Sequence, residues 1–313
     1  MEKFIILADI TCDLSGEIRE FVGMEDYIKG YVNFSDGRDF KTSLDWEQIS
    51  REEFYTFLSN KKNTVTSAPV SPEEFYEVFK SYVADGYKVL SMSLSSKISS
   101  TYNVAVKAAE RVLAEYPEGT IYCFDSFRMS GAFGLLTMYA HKLKQEGKSF
   151  DEIIAWLEDN KHRVHQMGPI DDMIFIARRG KISMGKAIMG NFAGVKPMGD
   201  CSSDGYVSVL TKVKGINKAL KLTVEYVKEM AENIEEQYVI VSHSNREAYA
   251  MQLKKMLEEE TKVKKVFVTD VFASCGTNIG PGMVGVYFLG APVSEDQTVE
   301  KEAMARIQEK ANL

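Results

Sequence analysis

The sequence has few of the residues that build disulfide frameworks and metal sites. Its 313 residues include only four histidines. The cysteines, which form no Cys-x-x-Cys pair, are Cys12, Cys123, Cys201 and Cys275. Because they are scattered, we expect free thiols in a reducing compartment. His162 and His165 have the spacing of one helix face, but no carboxylate or thiol completes a ligand set, and we predict no metal site.

Long apolar runs are also missing. No stretch approaches the roughly 20 apolar residues needed to cross a bilayer. The apolar run before Asp9 is too short for the apolar region of a signal peptide. The net charge of -7 argues against a general nucleic-acid-binding protein. We therefore expect a cytoplasmic protein with no integral membrane segment and no nucleic-acid partner, and transient contact with a membrane surface remains open.

Three common catalytic and nucleotide-binding motifs are absent or misplaced. No serine has the two flanking glycines of a G-x-S-x-G nucleophile elbow, and no G-x-x-x-x-G-K-[ST] phosphate loop occurs. Gly280, Gly282 and Gly285 match G-x-G-x-x-G. However, an apolar run typical of a strand follows them, whereas a dinucleotide fold needs a helix there. We therefore expect no cofactor.

The length and the pattern of the chain predict an α/β protein with two domains. In residues 1–163, strands alternate with helices, which indicates βαβ units and a parallel sheet. The polar stretch around Gly168 indicates a domain crossing. Residues 164–313 are predicted to form a mixed α/β domain with a hairpin at Asp204-Gly205 and a charged helical tail.

Local signals predict where several helices begin. Ser50 and Ser71 are expected N-caps, and Pro72 suits a first helical position. Apolar periodicity predicts a further helix over residues 98–116. The segment "CGTNIGPG" at 275–282 is predicted to be a loop.

Hydroxyl side chains are concentrated where predicted strands end. Residues 93–101 read "SLSSKISST" and follow an apolar strand. Ser95 or Ser96 is expected at the N-terminus of the next helix, where free N–H groups and hydroxyls favour an anion. In "TSAPVS" at 66–71, Thr66 and Ser67 lie on a stiff extended turn, although helix capping alone would also explain that segment. Residues 99–101 receive no role.

Two further groups are candidates for contact with an anion or a partner. Arg178, Arg179 and Lys181 in "ARRGKIS" form a cationic cluster that suits an anionic head group or an acidic partner, unless it is a solvated turn. His243 in "VSHS" is the best candidate for a general base, because it is expected at a strand end. A purely structural role for His243 is the alternative.

Seven segments in order resemble the DegV family of fatty-acid-binding proteins, over nearly the whole chain: "TSAPVS", "LSSKISSTYNVA", "FDSFRMSGAFG", "ARRGKIS", "VKP", "VSHS" and "GTNIGPGMVG". The resemblance implies one long-chain fatty acid buried between two α/β domains. It implies that Thr66 and Ser96 hold the carboxylate, with Ser95 and Asn278 as further candidates. It also implies a carrier, not an enzyme, that presents the acid to a fatty acid kinase for acyl phosphate formation and phospholipid synthesis.

The sequence departs from the family pattern at three positions. Ile10 replaces a serine, Ser100 replaces a glycine and Asn278 replaces a histidine. Asparagine can donate a hydrogen bond but cannot carry a proton, which weakens the case for phosphotransfer. The alternative function is a phosphotransfer enzyme that acts on a small anionic substrate, and a lipid sensor without a kinase partner is a third hypothesis.

Overall fold

The computed structural model describes residues 2–179 and 194–310. The described strands are β1 Phe4–Ala8, β2 Tyr31–Phe34, β3 Asp39–Lys41, β4 Val65–Ala68, β5 Lys88–Ser93, β6 Ile121–Asp125, β7 Val164–Met167, β8 Val195–Cys201, β9 Val207–Lys214, β10 Tyr238–His243, β11 Lys265–Asp270 and β12 Val284–Leu289. The described α-helices are α1 Gly16–Val22, α2 Arg51–Ser59, α3 Pro72–Ala84, α4 Thr101–Glu115, α5 Ser130–Gln145, α6 Phe150–Asn160, α7 Met173–Arg178, α8 Ile216–Met230, α9 Glu247–Glu260, α10 Ala273–Ile279 and α11 Thr298–Lys310.

The strands form the two kinds of sheet that the pattern predicts. In the N-terminal half, a parallel sheet has the order β1-β5-β6, and a small antiparallel sheet has the order β3-β2-β4. In the C-terminal half, a mixed sheet has the order β11-β10-β12-β7, and β8 pairs with β9 as a hairpin. The predicted α/β fold class is therefore confirmed. The domain boundary between 163 and 164 stays a prediction.

The predicted helix starts at Ser50 and Ser71 are confirmed. Each serine side chain accepts a hydrogen bond from the backbone N–H three residues later, and Pro72 occupies the first turn. The Glu74 carboxylate accepts a hydrogen bond from the backbone N–H of Ser71, which completes a capping box. These caps satisfy helix N–H groups that would otherwise have no partner.

The prediction of a loop at 275–282 is wrong in its first part. Residues Ala273–Ile279 form α10, and the chain leaves this helix at Gly280 with a positive φ of 74°. The helix was hidden because Gly276 and Thr277 are weak helix formers in isolation. It forms because its side chains are buried against the N-terminal half, where Phe54 and Tyr55 lie against Gly276.

Two further predictions need correction. The helix expected from residue 98 begins at Thr101, because Ser95 accepts backbone hydrogen bonds from Ile98 and Ser99 in a separate turn. The polar crossing segment contains strand β7, and therefore His162 and His165 do not share a helix face.

Helix α5 joins the two halves through one apolar core. Phe133 and Leu136 of α5 are buried in a cluster that also contains Ile6 of the first sheet and Phe267 of the mixed sheet. A Cβ atom on Gly131 would overlap the ring of Tyr287. The two sheets can approach this closely because a glycine faces the aromatic ring.

A network of buried hydrogen bonds connects β7 to β8. The His165 Nδ1 atom lies 2.6 Å from the Asp200 carboxylate, and Nε2 lies 2.8 Å from the carbonyl oxygen of Ala291. The Tyr226 hydroxyl also donates a hydrogen bond to the Asp200 carboxylate, at 2.7 Å. Both ring nitrogens of His165 face acceptors, which favours the doubly protonated imidazolium form. Burial opposes this charge, but Asp200 outweighs it and raises the pKa of His165.

This pair predicts a pH dependence of stability. The pKa of His165 is higher in the folded state, so its contribution to the free energy of unfolding is full below the unfolded pKa of about 6.5. It declines as the pH rises through the folded pKa. Asp200→Asn should lower the free energy of unfolding at pH 6 by about 3 kcal/mol and flatten its decline towards pH 9. Urea unfolding across this range measures both effects.

The matched control is Asp159→Asn, which makes the same charge change on an exposed position of α6. It should leave the free energy of unfolding within about 0.5 kcal/mol of wild type. An Asp200→Asn protein that keeps the wild-type pH profile would contradict the imidazolium assignment.

Candidate ligand-binding site

A cavity of about 710 Å³ lies between the two halves of the chain, within the usual size range of small-ligand pockets. Its wall comes from β4, the start of α4, β7, α7, the β8–β9 hairpin and α10. Most of the wall is apolar, and several of its side chains are flexible thioethers: Met129, Met167, Met173, Met198 and Met283. A cavity of this kind suits an apolar ligand whose shape can vary.

Ser67 of β4 is placed at the cavity by the alternation of the strand. It shares a strand face with the buried Val65 and lines the cavity. The backbone N–H of Ser35 donates to the carbonyl of Thr64 at 2.8 Å, so these two residues form a hydrogen-bonded pair of the β2–β4 ladder. Counting along the ladder, Val32 and Ser67 form a pair without hydrogen bonds between them. Since hydrogen-bonded pairs alternate along such a ladder, the backbone N–H of Ser67 points to the open edge of the sheet.

Asn278, near the end of α10, connects this helix to Ser67. Its side-chain Nδ2 donates to the Ser67 Oγ at 3.1 Å and to the Thr277 Oγ1 at 3.0 Å. The Ser67 oxygen therefore acts as an acceptor within the protein, and its O–H is left to donate to a ligand. Ser67 and Asn278 both line the cavity, so the structure brings these two side chains together.

A second pair of hydroxyls lies at the start of α4. The Ser99 Oγ and the Thr101 Oγ1 are 2.8 Å apart, and both residues line the cavity. Helix α4 has 15 residues, and its first N–H groups carry the partial positive charge of a helix N-terminus. One hydroxyl proton of this pair remains available, because two hydroxyls need only one proton for the bond between them. An anion would find neutral donors here and no fixed cation.

The structure places Thr66, Ser95 and Ser96 away from the cavity lining. Thr66 lies on the strand face opposite Ser67 and is exposed. The Ser95 hydroxyl is buried and donates to the carbonyl of Gly205 at 2.8 Å. The backbone N–H of Ser96 donates to the Asp125 carboxylate at 3.1 Å. Of the four predicted carboxylate ligands, only Asn278 lines the cavity, and their role in binding stays a prediction.

The cationic cluster also lies outside the lining where it is described. Helix α7 contributes Met173 and Ile176 to the cavity wall and ends at Arg178. The Arg179 guanidinium stacks on the ring of Phe175, 5.1 Å from its centre, and burial lowers its pKa. Lys181 lies outside the described residues.

His243 is held as a structural residue at the end of β10. Its Nδ1 accepts the backbone N–H of Arg246, at 3.4 Å, and its Nε2 lies 3.5 Å from the Asp270 carboxylate. Burial lowers the pKa of His243 despite this carboxylate. It does not line the cavity, so the geometry gives no support to its role as a general base there.

Buried carboxylates near the cavity are already bonded within the protein. Asp9 accepts hydrogen bonds from the backbone N–H groups of Thr11 and Leu94, each within 2.9 Å, although burial raises its pKa. Asp13 accepts from the Ser130 hydroxyl at 2.5 Å, and burial raises its pKa to about 7. Asp9 therefore holds together the loops that follow β1 and β5.

Sequence reasoning missed the roles of Ser67, Ser99 and Thr101 in the cavity wall. A signal existed for Ser67, because the apolar Val65 lies two positions before it and two residues make one strand repeat. For Ser99 and Thr101 the signal was hidden, because the turn at Ser95 delays the helix by three residues. Lys29, an exposed lysine of the cavity lining, was also missed.

The described residues show neither of two other kinds of site. Among residues 2–179 and 194–310, no cluster of three or more histidine, cysteine, aspartate or glutamate side chains could hold a metal ion. Within the same ranges, every helix is too short or too polar to span a membrane.

Comparison with known proteins identifies relatives along nearly the whole chain. The sequence profile of the DegV family, described as uncharacterised proteins, matches residues 3–291. A DegV domain-containing protein of Clostridium perfringens is 31% identical over 290 residues, which cover 93% of this chain and 98% of that protein.

Solved structures of DegV proteins have the same fold. A fatty-acid-binding DegV protein from Thermus thermophilus aligns with a TM-score of 0.80 and 25% identity, covering 92% of this chain and 99% of the other. A stearic acid-binding protein from Eubacterium ventriosum aligns with a TM-score of 0.79 and 22% identity, covering 93% and 98%. With the profile match and the Clostridium relative, these findings show that the chain belongs to the DegV family.

Proposed function

We propose that this protein binds one long-chain fatty acid in the cavity between its two halves. The observation that carries the proposal is an apolar, methionine-rich cavity with two sets of neutral hydrogen-bond donors in its wall. The Thermus and Eubacterium proteins, which share the fold, bind fatty acids. The acyl chain occupies the apolar part, and the carboxylate meets the hydroxyl groups.

The free energy of burying an acyl chain favours the binding of such a ligand. Burial of about 15 methylene groups at roughly 0.8 kcal/mol each contributes near 12 kcal/mol before ordering costs. An unpaired carboxylate would oppose binding, because a buried charge without hydrogen bonds is costly. Hydroxyls and helix N–H groups supply the necessary donors.

We propose that Ser67, whose hydroxyl is positioned by Asn278, holds the carboxylate, with Thr101 and the N-terminus of α4 as the second set of donors. This assignment replaces Thr66, Ser95 and Ser96 with neighbours in the same two segments. It is supported by the cavity lining and by the Asn278–Ser67 hydrogen bond. Hydrogen bonds to a charged group are worth about 1.5–3 kcal/mol each.

A carrier role follows from the same chemistry. The proposed hydroxyl donors are neutral, so the carboxylate oxygen stays available to an incoming phosphoryl group. We propose that a separate fatty acid kinase phosphorylates the bound acid and that this chain performs no catalysis itself. The placement of His243 outside the cavity lining supports this division of roles.

The first prediction concerns the ligand itself. Protein purified from bacterial cells should release a fatty acid of roughly 14 to 18 carbons on denaturation, because burial of that chain gives submicromolar affinity. Mass spectrometry of the native and denatured protein measures its mass and stoichiometry. Recovery of no lipid, together with no binding of added acids of this length, would rule out the proposed function.

The second prediction separates the candidate carboxylate ligands. Ser67→Ala should weaken fatty-acid binding about tenfold or more, because it removes the hydroxyl that donates to the carboxylate. Asn278→Ala should weaken binding by a similar factor. Competition against a fluorescent fatty acid measures the affinities.

The matched controls are Thr66→Ala and Ser96→Ala, which remove hydroxyls from the same two segments outside the cavity lining. Both should bind within about twofold of wild type. If the controls lose affinity while Ser67→Ala does not, the carboxylate assignment returns to Thr66 and Ser96.

A further inference from the structure

Gln166 lies on the cavity side of β7. Alternation along this strand directs His165 into the core of the C-terminal half, where its ring stacks on Phe288, and Gln166 to the opposite face. Directly across the ladder from Gln166 is Tyr287 of β12, and both residues line the cavity. The strand therefore presents a primary amide to a wall in which Met167 and Met198 are neighbours.

The side-chain amide of Gln166 has no hydrogen-bond partner among the described residues. Its backbone N–H donates to the Asp200 carboxylate at 2.7 Å, which fixes the position of the residue on the strand. Within residues 2–179 and 194–310, however, no hydrogen bond involves its Oε1 or Nε2 atom. A glutamine side chain can make several hydrogen bonds, so this group is available to a ligand.

The polar side chains near Gln166 already form hydrogen bonds with other protein groups. The Tyr287 and Ser242 hydroxyls are 2.9 Å apart, and Ser130 donates to Asp13 at 2.5 Å. The Asp13 carboxylate also accepts the backbone N–H of Phe272 at 3.0 Å. These hydroxyls are therefore hydrogen-bonded without the Gln166 amide, which faces the cavity.

A plain hydrocarbon chain would be a poor match for this wall. It would displace water from the Gln166 amide and offer no hydrogen bond in return, and a buried polar group without a partner is costly. Glutamine has nearly the shape of methionine, which lines the same cavity repeatedly, so shape does not require an amide here. The amide therefore points to a ligand that has a polar group along its chain.

We propose that the ligand of this cavity is a hydroxy fatty acid, whose chain hydroxyl bonds to the Gln166 amide. A hydroxyl is both donor and acceptor, as the amide is, so either orientation of the amide forms a bond. A double bond would offer no such partner. This inference rests on the proposed fatty-acid-binding function and specifies its ligand class.

The experiment compares stearic acid with a set of positional isomers of hydroxystearic acid. Delipidated wild-type protein is titrated with each acid by displacement of a fluorescent fatty acid. At least one isomer should bind about tenfold more tightly than stearic acid, which corresponds to about 1.4 kcal/mol. In Gln166→Met this preference should fall below about twofold, and stearic acid should bind more tightly than it does to wild type.

The control variant is Gln252→Met, which makes the same amide-to-thioether change at an exposed position of α9 outside the cavity lining. It should keep the wild-type preference for the hydroxy acid. Equal binding of stearic acid and every hydroxy isomer to the wild type would overturn the inference, and so would a preference that survives in Gln166→Met. Both results leave fatty-acid binding intact, whereas failure of all the acids to bind would remove the proposed function itself.

Discussion

The packing of helix α5 against both sheets is the constraint on which the cavity depends. At its first turn, Gly131 lies against the ring of Tyr287, and one turn later Gly134 lies against the carbonyl of Cys12. A Cβ atom on Gly131 would overlap the Tyr287 ring and push the halves apart, whereas one on Gly134 would push α5 away from the loop after β1 in its own half. The cavity opens beside this contact, where Met129 and Ser130 belong to its wall. Gly131 therefore limits how closely the two halves approach beside the cavity.

The polar groups of the cavity wall come from backbone features as much as from side chains. Ser67 is available because β4 is an edge strand, and Thr101 because α4 begins beside the cavity. Both features leave backbone N–H groups without partners from regular structure. An anion recognised in this way meets dipoles that the fold has already oriented, so binding requires little rearrangement.

The sequence predicted the fold better than the site, for a physical reason. The caps at Ser50 and Ser71 depend on a few adjacent residues, and these local signals were correct. Helix α10 depends on burial against a distant part of the chain, which no local pattern reveals, and it was missed. The placement of Ser67 in the wall instead of Thr66 depends on which strand face meets the cavity. That difference of one residue is a tertiary property.

The three departures from the family pattern, Ile10, Ser100 and Asn278, leave the proposed carboxylate site without a side chain that titrates near neutral pH. Ser100 occupies the N-cap position of α4 in a right-handed helical conformation, so a glycine is not required there. Ile10 is buried beside the cavity and adds apolar surface where a hydroxyl is usual. Asn278 supplies a hydrogen bond to Ser67 but has no proton to exchange near neutral pH. The side chains of Ser67, Ser99, Thr101 and Asn278 therefore keep the same charge across the physiological pH range. On the proposed assignment, these side chains hold the carboxylate without exchanging a proton with it.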